Sequence, residues 1–251
     1  MKDIYLSVVI PSYDEMANLQ KGVLDKIIHF FEKKKYTYEI IVVDDGSTDG
    51  SDEFVGKISK DYTQIRLIKN NHLGKAGAVT TGVLQAKGKY VLFTDMDQAT
   101  PIEEVDKLLP FFAQEFQVVI GSRNNRRKGA PWTRLIISRS NMFLRKVLVG
   151  LPKISDTQCG FKLFEKEAAE KIFTKINIIH HGFQKIHTSA VTAGFDVEIL
   201  LIAKSLGYNI KEVPVEWLYV ETRRVNPVHD SVEGLRELFV IRSNLVKKLY
   251  S

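Results

Sequence analysis

Nearly continuous apolar runs that stop at polar clusters, with helix-period segments between them, constrain this chain more than any other feature. Leu6 to Ile10 is halted by Pro11, and Tyr38 to Val43 by Asp44-Asp45-Gly46. Both runs are rich in Val and Ile, the pattern of strands buried on both faces of a parallel sheet. Between them, Leu19, Val23, Leu24, Ile27, Ile28, Phe30 and Phe31 recur near helical period, which predicts a helix over Ala17 to Lys34. The alternation continues with a helix from Asp52 to Lys60, a strand at Gln64 to Ile68, a helix from Lys75 to Ala86 and a strand at Tyr90 to Thr94. This order specifies an α/β fold with a mostly parallel sheet, helices on both faces and right-handed crossovers. Ligands of such sheets bind outside the carboxyl ends of the strands, where the polar clusters of this chain fall.

Beyond Asp97, Thr100-Pro101-Ile102-Glu103 reads as a helix start, with Thr100 as N-cap, proline at the first position and Glu103 completing a capping box. That helix is expected to run to about Ala113, followed by a strand at Gln117 to Ile120. Trp132 to Val149 reads as a long amphipathic helix, and a later helix covers Val197 to Leu206. Ile210 to Trp217 is a strand that Pro214 makes irregular or places near an edge. A basic amphipathic helix from about Val232 to Lys248 closes the chain.

A length of 251 residues with 44% hydrophobic and 26% charged residues supports a single well-cored domain, and excludes a disordered chain. One cysteine, Cys159, rules out a disulfide framework and a four-thiolate zinc site, and it is expected to pack as a small apolar residue. His180, His181 and His187 lack the spacing of a zinc site. No apolar stretch reaches the ~18–20 residues of a membrane span. Met1-Lys2-Asp3-Ile4-Tyr5 lacks a secretory signal pattern, so a cytoplasmic location is expected.

The formal charge of +6 is local rather than spread. Arg123 to Lys153 holds nine Lys or Arg and no Asp or Glu, which leaves 27 basic against 30 acidic groups elsewhere. Few aromatic residues are spaced among those cations for stacking on bases, which argues against nucleic acid. An anionic membrane surface fits the same segment better, because Trp132, Leu135, Ile136, Ile137, Phe143 and Leu144 lie among Arg134, Arg139, Arg145 and Lys146.

Asp95 and Asp97, two residues apart where the Tyr90 to Thr94 run ends, could share Mg²⁺ or Mn²⁺ if the backbone leaves strand geometry there. Loop solvation is the competing reading. Asp44-Asp45-Gly46-Ser47 sits where a carboxylate can accept hydrogen bonds from a ribose or base edge, or where an ordinary Asx turn feeds the next helix. In Asn71-His72-Leu73-Gly74-Lys75-Ala76-Gly77 the glycines permit close approach, and Lys75 could face a phosphate. Neither a P-loop nor a dinucleotide fingerprint is present.

Val8-Val-Ile-Pro-Ser-Tyr-Asp-Glu15, Val42-Val-Asp-Asp-Gly-Ser47, Asp95-Met-Asp97 and Gly121-Ser-Arg123, in this order, resemble the inverting family 2 glycosyltransferases of the GT-A fold. Asp156-Thr-Gln-Cys-Gly-Phe-Lys162 and Phe195-Asp-Val-Glu198 are similar to the branch making dolichyl-phosphate glucose or mannose, the glucosyl type most of all. The resemblance implies a single GT-A domain, with a nucleotide-sugar half over 1–122 and an acceptor half over 123–251. It implies that Pro11, Tyr13, Glu15, Asp44 and Asp45 line the base and ribose pocket. Asp95 would contact ribose or metal, Asp97 would hold the metal, and Arg123 would lie near the acceptor. Asp156 stands at the place of the family's late acidic residue. Mannosyl-type relatives often place a Gln where this chain has Ala99; Gln98 comes one position early. Glucosyl-type relatives of eukaryotes carry an N-terminal anchor that is not seen here, so membrane contact is expected from elsewhere.

The expected reaction is transfer of glucose from UDP-glucose to a polyprenyl or dolichyl-type phosphate, with inversion, by a peripheral protein at the inner face of the membrane. Lys162, Arg223 and Arg224 are further candidates for the acceptor phosphate. Asp156 would be a general base for a hydroxyl acceptor and an orienting group for a phosphate acceptor. GDP-mannose as donor, a hydroxyl acceptor, and a non-catalytic receiver-like phosphate-binding module remain as alternatives.

Overall fold

The computed structural model describes residues 3–123, 127–128, 151–184, 194–218 and 238–250. They form two compact units: 1–98 with 161–191, and 99–160 with 192–251. The helix expected over Trp132 to Val149, and Arg223, Arg224 and His187, lie outside the described residues.

In the first unit, β1 (Leu6–Ser12) pairs in parallel with β2 (Tyr38–Asp44) on one side and β4 (Tyr90–Thr94) on the other. Next to β2 lies β3 (Ile65–Lys69), also parallel. Val8, Val9, Ile10 and Ile40 to Val43 are fully buried, which accounts for runs without polar alternation. The crossover helices are α3 (Ser51–Asp61) and α4 (Gly74–Leu84). Gly82 lets α4 lie close on the sheet: a Cβ there would stand 2.4 Å from Val9 Cγ1 and 2.9 Å from Val43 Cγ2.

The expected helix over Ala17 to Lys34 is broken. It forms α1 (Met16–Leu19) and α2 (Val23–Glu32), because Gly22 between them takes a left-handed φ of 72°. One strand and one helix of this unit have no counterpart in the sequence reading. β7 (Phe161–Glu165) runs antiparallel to β4, and α6 (Lys166–Ile179) follows it directly.

In the second unit, β5 (Val118–Ser122) pairs in parallel with β8 (Ile210–Pro214), and β6 (Arg127–Lys128) with β9 (Trp217–Leu218). The helix expected from Thr100 is corrected. Pro101 is extended (ψ 144°), Thr100 makes no cap, and a 3₁₀ turn at Ile102–Glu104 leads into the short α5 (Val105–Leu108). Pro110 has no N–H and cannot continue an α-helix, so Leu109–Gln114 is again 3₁₀. The capping box is absent because Glu104, not Glu103, turns inward, accepting from Lys107 Nζ at 2.6 Å and Glu216 N at 3.0 Å. α7 (Phe195–Ser205) agrees with expectation, and a final helix, α8, spans 238–246.

Candidate active site

The strand ends of the first unit carry most of the residues singled out from sequence. The β1 and β2 ends are laced together by their loops. Asp14, with φ of 50°, accepts from Thr48 N at 2.8 Å, while its own N–H donates to Ser47 Oγ at 2.9 Å. Glu15 N donates to Ser51 Oγ, and Met16 N to Asp49 Oδ2, each at 2.9 Å. Pro11, Tyr13 and Glu15 are all half-buried along this rim. Tyr13 stacks on His72 with ring centroids 4.3 Å apart, joining the β1 loop to the β3–α4 loop.

Asp44 and Asp45 are equally buried, each 3% exposed, but do different things. Asp45 Oδ1 accepts from Leu73 N at 2.8 Å and Oδ2 from Gly74 N at 2.7 Å, so its carboxylate clamps the start of α4 to the end of β2. His72 Nδ1 lies 2.9 Å from the Asp45 carbonyl and 3.2 Å from Oδ2, which places the ring proton on Nδ1. Burial pushes the Asp45 carboxyl upward, against the opposing pull of these donors. Asp45 thus helps to shape the end of β2. Asp44 Oδ2 accepts from Gly46 N at 3.2 Å and Ser47 N at 3.1 Å, whereas its buried Oδ1 has no hydrogen-bond partner among the described residues.

Past β4 the chain leaves strand geometry at once. Met96 is 2% exposed and anchors a turn, while Asp95 and Asp97 on either side of it are half-buried. Gln98 closes the turn with a φ of 49°, its Nε2 donating to the Asp95 carbonyl at 2.9 Å. Lys75, in the first turn of α4, places Nζ 2.6 Å from Asp95 Oδ1. Among the described residues no three His, Cys, Asp or Glu side chains converge as a complete metal shell. Two carboxylates suit Mg²⁺ or Mn²⁺ shared with a substrate diphosphate and water, since these ions need only one or two protein carboxylates. Lys162 lies on β7 opposite Phe93 of β4, fully buried, with Nζ 5.3 Å from the Phe93 ring centre.

The second unit holds a separate charged centre. Asp156, 2% exposed, accepts three hydrogen bonds from Arg123: from its N–H at 2.9 Å, Nε at 2.7 Å and Nη2 at 2.8 Å. Glu212 of β8 accepts from Asp156 N at 2.7 Å and Ser155 N at 2.9 Å, fixing the loop that carries the carboxylate. Burial disfavours the charged guanidinium of Arg123. The hydrogen bonds and charge of Asp156, with smaller contributions from Cys159 and Asp196, outweigh it and hold Arg123 above the ordinary arginine range. Asp14, His72 and Glu212 escaped the sequence reading. Asp14 and His72 lie inside quoted motifs, but nothing local distinguishes Glu212.

The glycosyl transferase family 2 model matches residues 7–173. The chain is 35% identical to the dolichyl-phosphate beta-glucosyltransferase of Saccharomyces cerevisiae over 99% of its own length and 77% of that protein's. Among solved structures it resembles the mannosyl-3-phosphoglycerate synthase of Rubrobacter xylanophilus (TM-score 0.63, 14% identity, 98% of this chain and 74% of that one). It also resembles a mannosyltransferase of Pyrobaculum calidifontis in complex with GDP-Man and Mn²⁺ (TM-score 0.61, 18% identity, 94% and 63%).

Proposed function

Because the chain belongs to glycosyl transferase family 2 and is a glycosyltransferase of GT-A fold, we propose that it transfers glucose from UDP-glucose to a polyprenyl or dolichyl-type phosphate with inversion at C1. The observation that carries this reading is its near-full-length kinship with a protein named dolichyl-phosphate beta-glucosyltransferase. The reaction takes place at the cytoplasmic face of an anionic membrane, with the protein bound peripherally.

The strand-end geometry supports a uridine donor. A guanine edge offers two adjacent donors, N1–H and N2–H, which a carboxylate meets with both oxygens. Asp44 already commits Oδ2 to backbone N–H groups and keeps one buried oxygen, Oδ1, a match for the single N3–H of uracil. Tyr13, Pro11 and Glu15 supply the wall of the same pocket. Asp95 and Asp97 would hold Mg²⁺ or Mn²⁺, and Lys75 sets the position of the Asp95 carboxylate. The bound ion would supply charge neutralisation for the leaving UDP.

An oxygen of the acceptor phosphate forms the bond to C1 while the C1–O bond to UDP breaks, and UDP leaves with the electron pair. A phosphate monoester, with a second pKa of ~6, is largely dianionic at neutral pH and gives up no proton. No general base is needed. Asp156 is already engaged by Arg123 and acts as its positioning partner, and Arg123 in turn meets the acceptor phosphate.

Asp44→Asn tests the donor assignment. Its amide can keep the Gly46 and Ser47 bonds with its oxygen, but then turns a donor towards uracil N3–H. Hydrogen bonds to charged groups contribute about 1.5–3 kcal/mol, so UDP affinity should fall about 10- to 100-fold by calorimetry. Unchanged UDP affinity would overturn the role given to Asp44.

A further inference from the structure

A surface helix normally pairs one apolar face with a polar one. α8, over 238–246, does not. Its inner side is docked within the second unit: Leu238 is 3% exposed, Ile241 2% and, just beyond the helix, Tyr250 2%. The Tyr250 hydroxyl donates to the buried Glu198 Oε1 of α7 at 2.5 Å, and its carbonyl accepts from the Ser205 hydroxyl. That latch fixes which side of the helix faces outward. The outward side is apolar as well, with Phe239 65% exposed and Val246 72% exposed, seven residues and two turns apart on one stripe. Val240 at 55% and Leu249 at 45% are exposed as well, beside the exposed Arg242 and Ser243. Within 238–251 the charged residues are Arg242, Lys247 and Lys248, all exposed, with no Asp or Glu.

We infer that this outer face of α8 is a docking surface for an anionic lipid bilayer, lying in the headgroup plane with Phe239 and Val246 inserted and the three cations at the phosphates. Exposed apolar side chains rimmed by one sign of charge match such a surface on both counts. The surface lies outside the basic segment Arg123 to Lys153 in sequence, and the inference rests on the proposed peripheral location.

The test is sedimentation of the full chain with vesicles of phosphatidylcholine alone or with phosphatidylglycerol, for the native protein, Phe239→Ser/Val246→Ser and Lys247→Gln/Lys248→Gln. The apolar pair variant should bind both vesicle types at least about tenfold more weakly, from the apolar area it withholds. The charge variant should weaken only on phosphatidylglycerol. Both should keep the native thermal midpoint and, with a short-chain, water-soluble polyprenyl phosphate, the native transfer rate. Binding of the apolar pair variant equal to the native protein would overturn the inference, as would a native dimer in solution that this variant turns into a monomer. Vesicle binding that follows the expected pattern without transfer to any acceptor supports the surface and counts against the reaction instead.

Discussion

Asp156→Ala and Arg123→Ala are each expected to lower the free energy of unfolding by about 3–5 kcal/mol, the cost of leaving one member of a buried ion pair without its partner. Asp156 and Arg123 side chains are 3% and 21% exposed and meet in a two-pronged contact. The double variant should lose less than the two single losses added together, and urea unfolding of all four proteins measures the coupling directly. Asp156→Asn separates the two chemical roles. If Asp156 only orients Arg123, the acid limb of the pH–rate profile belongs to the acceptor phosphate and stays near pH ~6 in the variant, even as the rate falls. Disappearance of that limb would make Asp156 a base and point to a hydroxyl acceptor.

Asp97→Asn should reduce kcat about 10²–10³-fold, the usual effect of removing one preorganised electrostatic contact to a leaving group. A binding measurement shows whether the loss acts through the ion. UDP affinity in the presence of Mn²⁺ should fall, whereas UDP affinity in a chelator should stay at the native value. Asp95→Asn should behave similarly and also weaken the hold on Lys75, whose Nζ is 2.6 Å from Asp95 in the native protein. Native turnover in Asp97→Asn would remove the metal role from the turn after β4.

The parallel strands were legible in the sequence because burial on both faces leaves uninterrupted Val and Ile; β4 has the expected bounds, and β2 extends one residue further, to Asp44. β7 was hidden for the opposite reason. Lys162 occupies a fully buried position in Phe161-Lys-Leu-Phe-Glu165, and a cation at a core site breaks the pattern that marks a buried strand. α6 does carry a readable signal, with Ala168, Ala169, Ile172, Phe173 and Ile176 buried at helical spacing. The breaks at Gly22 and Pro110 were signposted by the residues themselves.

In the site, the acidic clusters were visible as strand-end motifs, but the division of labour within them was not. Asp44 and Asp45 are chemically identical neighbours. What separates them is that Asp45 reaches backbone donors at Leu73 and Gly74, 28 and 29 residues away, while one Asp44 oxygen reaches none. The clamp of Glu212 on the Asp156 loop joins residues 56 apart and depends on the β5–β8 pairing that brings β8 into place.

The most direct test is release of nucleoside diphosphate from UDP-glucose, other UDP-hexoses and GDP-mannose, each with Mg²⁺ or Mn²⁺ and with or without a polyprenyl phosphate. UDP should be released from UDP-glucose, and only when the polyprenyl phosphate is present. Preference for GDP-mannose, or failure of every nucleotide sugar to react, would contradict the proposed reaction.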